Sequence, residues 1–365
     1  MYAQQSLQDT LFLMFYGAVA ILALVSGLYL WLRHSNAIAP DITPPTALRR
    51  WTAAFFITAA LSHVWWYVLG IYWLTDDRLV RNITAVTLDH ITLVPLVIAL
   101  LLRMLQDRQR PLWPWVVSQV PILVVAAVGI VRHDEFYGFD LTTYWQIAVM
   151  ILFVLYYLHA LKQYGRWLRE NYADLEHKEV WKSLLFMAAL FVIYEVYFTN
   201  PGEMAKEYLA QIETLAIMVF LIWRIETLQQ LDDKMAETSQ EDEAAPVGMP
   251  SAINFQQELE TCCEARQLYL LPDITLQQLA AAIGTNRTYL GNYFAQQGIT
   301  YNAYINRLRI QHFMRIYREN VSSDSSVTAT ELAKRSGFRS YTTFSAAFKQ
   351  LNDQTVAAWM KEQII

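Results

Sequence analysis

Thr275-Leu-Gln-Gln-Leu-Ala-Ala-Ala-Ile-Gly-Thr-Asn-Arg-Thr-Tyr-Leu-Gly-Asn-Tyr-Phe294 decides how the last third of the chain folds. Leu276, Leu279, Ala280 and Ile283 recur at spacings of three and four, which sets them on one buried helical face. Gly284 supplies the backbone freedom for a tight turn, and Asn286 stands where it can cap the next helix. In that second helix Leu290, Tyr293 and Phe294 fall inward. Arg287, Thr288, Gly291 and Asn292 fall on the opposite, outward face.

The pattern then returns. Val327-Thr-Ala-Thr-Glu-Leu-Ala-Lys-Arg-Ser-Gly337 reads as another helix and turn, followed by Phe338-Arg-Ser-Tyr-Thr-Thr-Phe-Ser-Ala-Ala-Phe-Lys349. Phe344 and Phe348, four apart, are the core anchors of its last helix, and Tyr341, Thr342 and Ser345 point outward. Between the repeats a helix runs from Tyr301 to about Glu319, with Tyr304, Ile305, Leu308 and Met314 as its apolar stripe. At about 1.5 Å per residue it is roughly 28 Å long, close to the roughly 34 Å of one DNA turn. Two short helices with polar outer faces, held that far apart, suit two successive major grooves.

This segment resembles the DNA-binding unit of the AraC-type transcription regulators over about 271–361. The likeness rests on Tyr-Ile-Asn-Arg-Leu-Arg at 304–309, Ser-Gly-Phe-Arg-Ser at 336–340, Phe344 with Phe348-Lys349, and Trp359. The resemblance implies a non-enzymatic, sequence-specific regulator of double-stranded promoter DNA that acts with RNA polymerase. Carried onto this chain, its DNA-binding residues are Arg287, Thr288, Gly291, Asn292, Arg339, Tyr341, Thr342, Ser345 and Lys349. Departures from the family pattern are Gly291 and Ala346 at positions where longer polar residues are usual, and Asp353, Val356 and Met360 in the closing segment. Residues 271–365 hold ten Lys or Arg against six Asp or Glu, a net of +4, whereas the whole chain is −5. The local patch is what meets phosphates. Arg287, Arg307, Arg309, Arg335, Arg339 and Lys349 are the candidates for phosphate contact, with Arg307 and Arg309 also placed to brace the two repeats.

The rest of the chain has another character. Its 365 residues are 55% hydrophobic and only 17% charged, against about 25% charged in an ordinary soluble protein. The apolarity lies before residue 230. Residues 11–32 form an apolar run of about 22 residues, long enough to span a bilayer. Met1–Thr10 carries no Lys or Arg, which argues against a cleaved signal peptide. Further runs at about 52–74, 83–105, 113–131, 141–162, 182–199 and 207–228 bring the expected number of spans to seven. A buried soluble helix is the alternative for any one of them.

Basic residues alternate between the loops. Arg33, Arg49, Arg50, Arg103, Arg108, Arg110, Lys162, Arg166, Arg169, Lys178 and Lys182 fall in one set, and Arg78, Arg81, Arg132 and Lys206 in the other. The positive-inside rule then puts the N-terminus outside a bacterial inner membrane and the C-terminal domain in the cytoplasm. The fold class expected is all-α: a seven-transmembrane-helix bundle over 1–228, a helical extension and acidic flexible linker over 229–250, and a soluble tandem helix–turn–helix domain over 251–365. Leu221, Leu228, Leu231 and Met235 make a short heptad stripe that reads equally as a solvated extension or as a homodimer seam.

Ionisable groups inside spans are expensive and tend to be functional. His63, Asp89, Glu195 and Glu213 are the candidates for a periplasmic or membrane ligand. Asp89 and Glu213 lie about 10 Å, and Glu195 about 8 Å, from the outer ends of their spans. Trp65, Trp66 and Tyr72 are positioned to wall the same cavity, and helix–helix hydrogen bonding, such as Asp89 with His63, is the alternative. No phosphate loop, nucleophile elbow or zinc-protease pattern occurs, and no cofactor or metal is expected. The adjacent Cys262 and Cys263 cannot alone complete a metal site and read as part of a partly buried helix. The rival to a DNA-binding regulator is a transporter or membrane enzyme whose C-terminal unit has a regulatory or assembly role.

Overall fold

The computed structural model describes residues 7–70, 76–134, 137–185, 188, 203–231, 254–322 and 327–363. Among these residues all regular structure is helical, apart from an isolated antiparallel bridge between Tyr172 and Thr275. The chain divides into two compact units. Residues 1–162 with 180–236 form one, and 163–179 with 237–365 form the other.

The first unit is built on long apolar helices. These are α1 (Leu7–Leu32), α2 (Thr46–Gly70), α3 (Arg78–Met104), α4 (Trp113–Val117), α5 (Val120–Arg132), α6 (Phe139–Asn171, which runs on into the second unit) and α7 (Glu203–Glu226). Helix α1 packs along α2, α2 against α3, α7 against α1 and α2, and α5 against α3. Among the described residues six stretches are long and apolar enough to cross a membrane: 8–32, 46–69, 78–104, 113–132, 141–171 and 205–226. Only 17% of the most apolar window of α1 and 11% of that of 113–132 is buried. Leu22, Val25, Leu28, Val124 and Val131 therefore stand exposed, which water would oppose and lipid would not. Most of the expected span at 182–199 lies outside the described residues, so six stretches of membrane-crossing length are described against the seven expected.

Within the described residues the stripe that begins at Leu221 does not continue as a helix through Leu231. α7 ends at Glu226, Thr227 makes a turn, and 228–231 are irregular. The Glu226 carboxylate accepts from the backbone N–H groups of Ala37 and Ile38 and pairs with Arg49 at 2.8 Å. Arg49 also donates to Asn36 at 2.9 Å. Both charges of this pair are buried, so breaking it by removing one partner would strand the other. Past it the backbone is held by Gln230 N–H to Thr43 O at 2.9 Å and Leu231 N–H to Gln106 Oε1 at 3.0 Å. Leu228 and Leu231 are buried in this unit, which explains their apolarity without a dimer seam. Met235 and the linker at 237–250 lie outside the described residues.

The second unit holds two small cores on one shared helix. A short helix α8 (Phe255–Glu258), continued by a π-turn over 259–264, is followed by α9 (Leu276–Ala282), α10 (Arg287–Gln296), α11 (Tyr301–Ser322), α12 (Ala329–Arg335), α13 (Tyr341–Asn352) and α14 (Val356–Glu362). Leu276, Leu279, Ala280, Ile283, Leu290 and Phe294 gather around Tyr301, Tyr304, Ile305 and Leu308 of α11. Farther along α11, Ile310, Phe313 and Tyr317 join Leu332, Phe338, Phe344, Phe348, Val356 and Trp359 in the second core. The rings there interlock, with Phe313 4.4 Å from Phe344 and Phe348 5.7 Å from Trp359 between centroids. α11 has 22 residues, slightly longer than the sequence pattern suggests.

Candidate nucleic-acid interface

Each helix pair starts and turns by local chemistry. Thr275 accepts from the Gln278 N–H while the Gln278 side chain accepts from the Thr275 N–H, a complete capping box for α9. Asn286 caps α10 through the Tyr289 N–H at 2.9 Å, as its position in the sequence suggests. Thr328 and Ser340 do the same for α12 and α13. The two turns pass through Gly284 at φ 73° and Gly337 at φ 89°, both left-handed.

These helices place the outward residues. Arg287 is the first residue of α10, with Thr288, Gly291 and Asn292 half-buried along the same side. On the second pair, Arg339 precedes the cap of α13, and Tyr341, Thr342 and Lys349 are exposed. Ser345 is half-buried, and its hydroxyl donates to the Thr342 carbonyl at 3.1 Å. The apolar sides of both helices, Leu290 with Phe294 and Phe344 with Phe348, are fully in the cores.

Arg309 has a role different from phosphate contact. It is buried at 1% exposure, donates from Nε to Tyr269 O at 2.7 Å, and from Nη2 to Leu271 O at 2.8 Å and Pro272 O at 3.2 Å. Its guanidinium carbon also lies 5.6 Å from the ring centre of Phe338 in the second core, while its carbonyl partners adjoin the first, so it braces the two. Burial lowers its pKa to about 10, which leaves the guanidinium charged at neutral pH. Cys262 and Cys263 are free and buried, and burial with the neighbouring Glu264 carboxylate pushes the Cys263 thiol up to about 12. Such a thiol is a packing group rather than a ready thiolate.

A segment absent from the sequence reading lies on this unit. Residues 171–178 form a strap. Its Ala173 N–H donates to Ile274 O at 3.3 Å, and Asn302 of α11 donates to Ala173 O at 2.7 Å and Tyr172 O at 3.3 Å. Arg287 donates to Asn171 Oδ1 at 2.6 Å, and Thr343 to Glu176 Oε2 at 3.2 Å. Arg339 pairs with Asp174 at 3.5 Å and also with Asp273.

Residues 279–362 match the family model of a helix-turn-helix domain of the AraC type. The match begins inside α9 and ends at the last residue of α14, so it takes in both helix pairs. The AraC-type domain implies DNA-binding regulation, and enzymes are not typical of it. Searches of curated proteins and of solved structures returned no match to the chain.

Outside the AraC-type domain the remaining site residues lie on the long apolar helices. Asp89 of α3 accepts from Ser62 Oγ at 2.7 Å, Trp65 Nε1 at 3.2 Å and Trp66 Nε1 at 2.8 Å, all on α2. His63 is not its partner: His63 Nε2 lies 2.9 Å from Gln211 Oε1 and Nδ1 2.8 Å from Ala59 O. One carboxylate oxygen of Glu213 is buried without a hydrogen-bond partner. Glu195 and Tyr72 lie outside the described residues. Asp89 thus meets the expected tryptophans, while its grouping with Glu213 is not seen among the described contacts. No group of three His, Cys, Asp or Glu arranged for a metal occurs among the described residues.

Proposed function

We propose that this chain is a membrane-embedded one-component transcription regulator. Its AraC-type domain binds promoter DNA sequence-specifically through two helix–turn–helix motifs, with α10 and α13 as the recognition helices. The observation that carries the reading is the pairing of that domain with six helices of membrane-crossing length in one chain. The rigid 22-residue α11, roughly 33 Å long at about 1.5 Å per residue, supports a spacing of one DNA turn between the recognition helices.

On this reading the N-terminus faces the periplasm, the lipid bilayer surrounds α1 to α7, and the DNA-binding domain is cytoplasmic beside RNA polymerase. A periplasmic or membrane ligand acts on the bundle, and the three-donor environment of Asp89 makes this carboxylate the first group to examine. Hydrogen bonds from Ser62, Trp65 and Trp66 tie this carboxylate of α3 to α2, so a cationic ligand that drew on it would bear directly on the contact between these two helices. A homodimer would raise the local concentration of DNA-binding units at paired sites.

Topology tests this proposal. A reporter active only in the periplasm should work when fused after Pro201 and be silent when fused after Glu237. The opposite pattern puts the AraC-type domain outside the cell and removes the function.

A further inference from the structure

The strap at 171–178 grips the AraC-type domain at the places where DNA is expected. We propose that it is an intramolecular latch that competes with DNA for the recognition face. This inference rests on the DNA-binding reading given above.

Three observations carry it. The strap is docked by its backbone, with the Tyr172–Thr275 bridge, the Ala173–Ile274 hydrogen bond and two carbonyls accepting from Asn302. Ala173 is 2% exposed and counts among the residues of the first core, so the strap is inserted rather than laid on the surface.

The strap also reaches both helix pairs. Asn171 holds Arg287 at the start of α10, Asp174 holds Arg339 just before α13, and Glu176 holds Thr343 in the first turn of α13. The N-terminal turns of recognition helices are where base edges and phosphates are met. A duplex and the strap cannot both have these groups.

The third observation is charge. A carboxylate facing an arginine or a helix start stands where a phosphate would stand, with the same donors. Asp174 and Glu176 offer that mimicry, and Asp174 is buried. The latch is held imperfectly, which lets DNA replace it. Lys178 is buried at 2% side-chain exposure, its ammonium makes no hydrogen bond, and Asp273 lies 3.6 Å away. A half-compensated buried cation adds little net stability. The strap continues directly from α6, so the chain joins it to the long apolar helices without passing through the linker at 237–250.

The test uses the full chain in lipid nanodiscs and a fluorescent duplex enriched by that chain from a random-sequence pool. Ala173→Asp puts a carboxylate into the first core and expels the strap, yet it adds a negative charge. A latch closed about nine-tenths of the time weakens apparent affinity about tenfold, so this variant should bind DNA about tenfold tighter. Simple charge repulsion predicts weaker binding instead. Tyr172→Cys with Thr275→Cys, oxidised to a disulfide across the bridge, should bind at least about tenfold more weakly than its reduced form.

Hydrogen exchange of the wild type guards against a misfolded variant: DNA should expose the Ala173 amide. Unchanged protection of that amide in the DNA complex, or equal affinities for the oxidised and reduced bridge, overturns the latch and leaves DNA binding standing. If no duplex is enriched by the wild type, by Ala173→Asp or by the reduced bridge, the DNA-binding reading falls and the latch with it.

Discussion

The two helix pairs of the C-terminal unit follow one plan but are held differently at their turns. A Cβ added to Gly284 would meet nothing within 4 Å, whereas one added to Gly337 would lie 2.9 Å from both Cα and O of Leu270 and 3.0 Å from Arg309 Nε. The first turn is free-standing and needs glycine only for its dihedral angles. The second is pressed onto the 269–272 segment that Arg309 also grips through three carbonyls. The junction of the two cores is thus concentrated at Arg309 and Gly337.

Removing the brace should have the largest effect. Arg309→Leu removes three hydrogen bonds to carbonyls at 269–272 and should destabilise the unit by roughly 3–5 kcal/mol. Chemical denaturation of the full chain, followed through the C-terminal unit, measures this. A loss under about 1 kcal/mol would mean that the cores hold together without Arg309.

The turns come next and break the comparison most cleanly. Gly337→Ala combines a left-handed backbone, about 1–2 kcal/mol, with displacement of the Leu270 backbone, about 1–3 kcal/mol. Gly284→Ala carries only the first cost. Equal losses for the two would show that the contact of Gly337 with Leu270 is not a constraint.

Acidity tests the strap where it joins this unit. Burial pulls the Lys178 pKa from 10.5 down to about 8, with Asp174 opposing. Between these values the unfolded chain keeps a proton that the folded chain has released, so stability should rise with pH across that window. The full rise is up to about 3 kcal/mol, and Lys178→Met should abolish it. A wild-type melting temperature that falls evenly through this window, as in the variant, would contradict the buried position of Lys178.

The smallest effect belongs to α10. A Cβ at Gly291 would meet only Leu276 Cδ2 at an ordinary 3.6 Å, so Gly291→Ala should stabilise the helix by about 1 kcal/mol. Destabilisation would mean that the glycine is needed for close packing.

Both helix pairs, the Asn286 cap and the core anchors were legible in the sequence because their signals are local. Period, capping residue and turn glycine all fall within about twenty residues of one another. Arg309 was legible as one of two arginines placed to brace the repeats, but not which of the two, since its partners are carbonyls some forty positions away. The strap carried no signal at all: Asn171, Asp174 and Glu176 look like an ordinary polar loop, and their partners are more than a hundred residues further on. The leucines at 228 and 231 suggested a continued helix, solvated or paired, because burial in an irregular segment gives the same apolar spacing. What ends α7 there is Glu226, fixed by backbone amides at 37 and 38 and by Arg49. Asp89 was found as an expensive charge in an apolar helix, but its partners proved to be indole and hydroxyl donors rather than His63.

The most direct test of the central claim, DNA binding by a chain that remains in the membrane, is chromatin mapping in the native cell. Full-length protein would be crosslinked and recovered from the membrane fraction beside an Asn292→Ala, Arg339→Ala strain with matched protein levels. The account predicts discrete promoter-proximal peaks for the wild type that disappear in the double variant. Uniform recovery of DNA in both strains, or none in either, would contradict it.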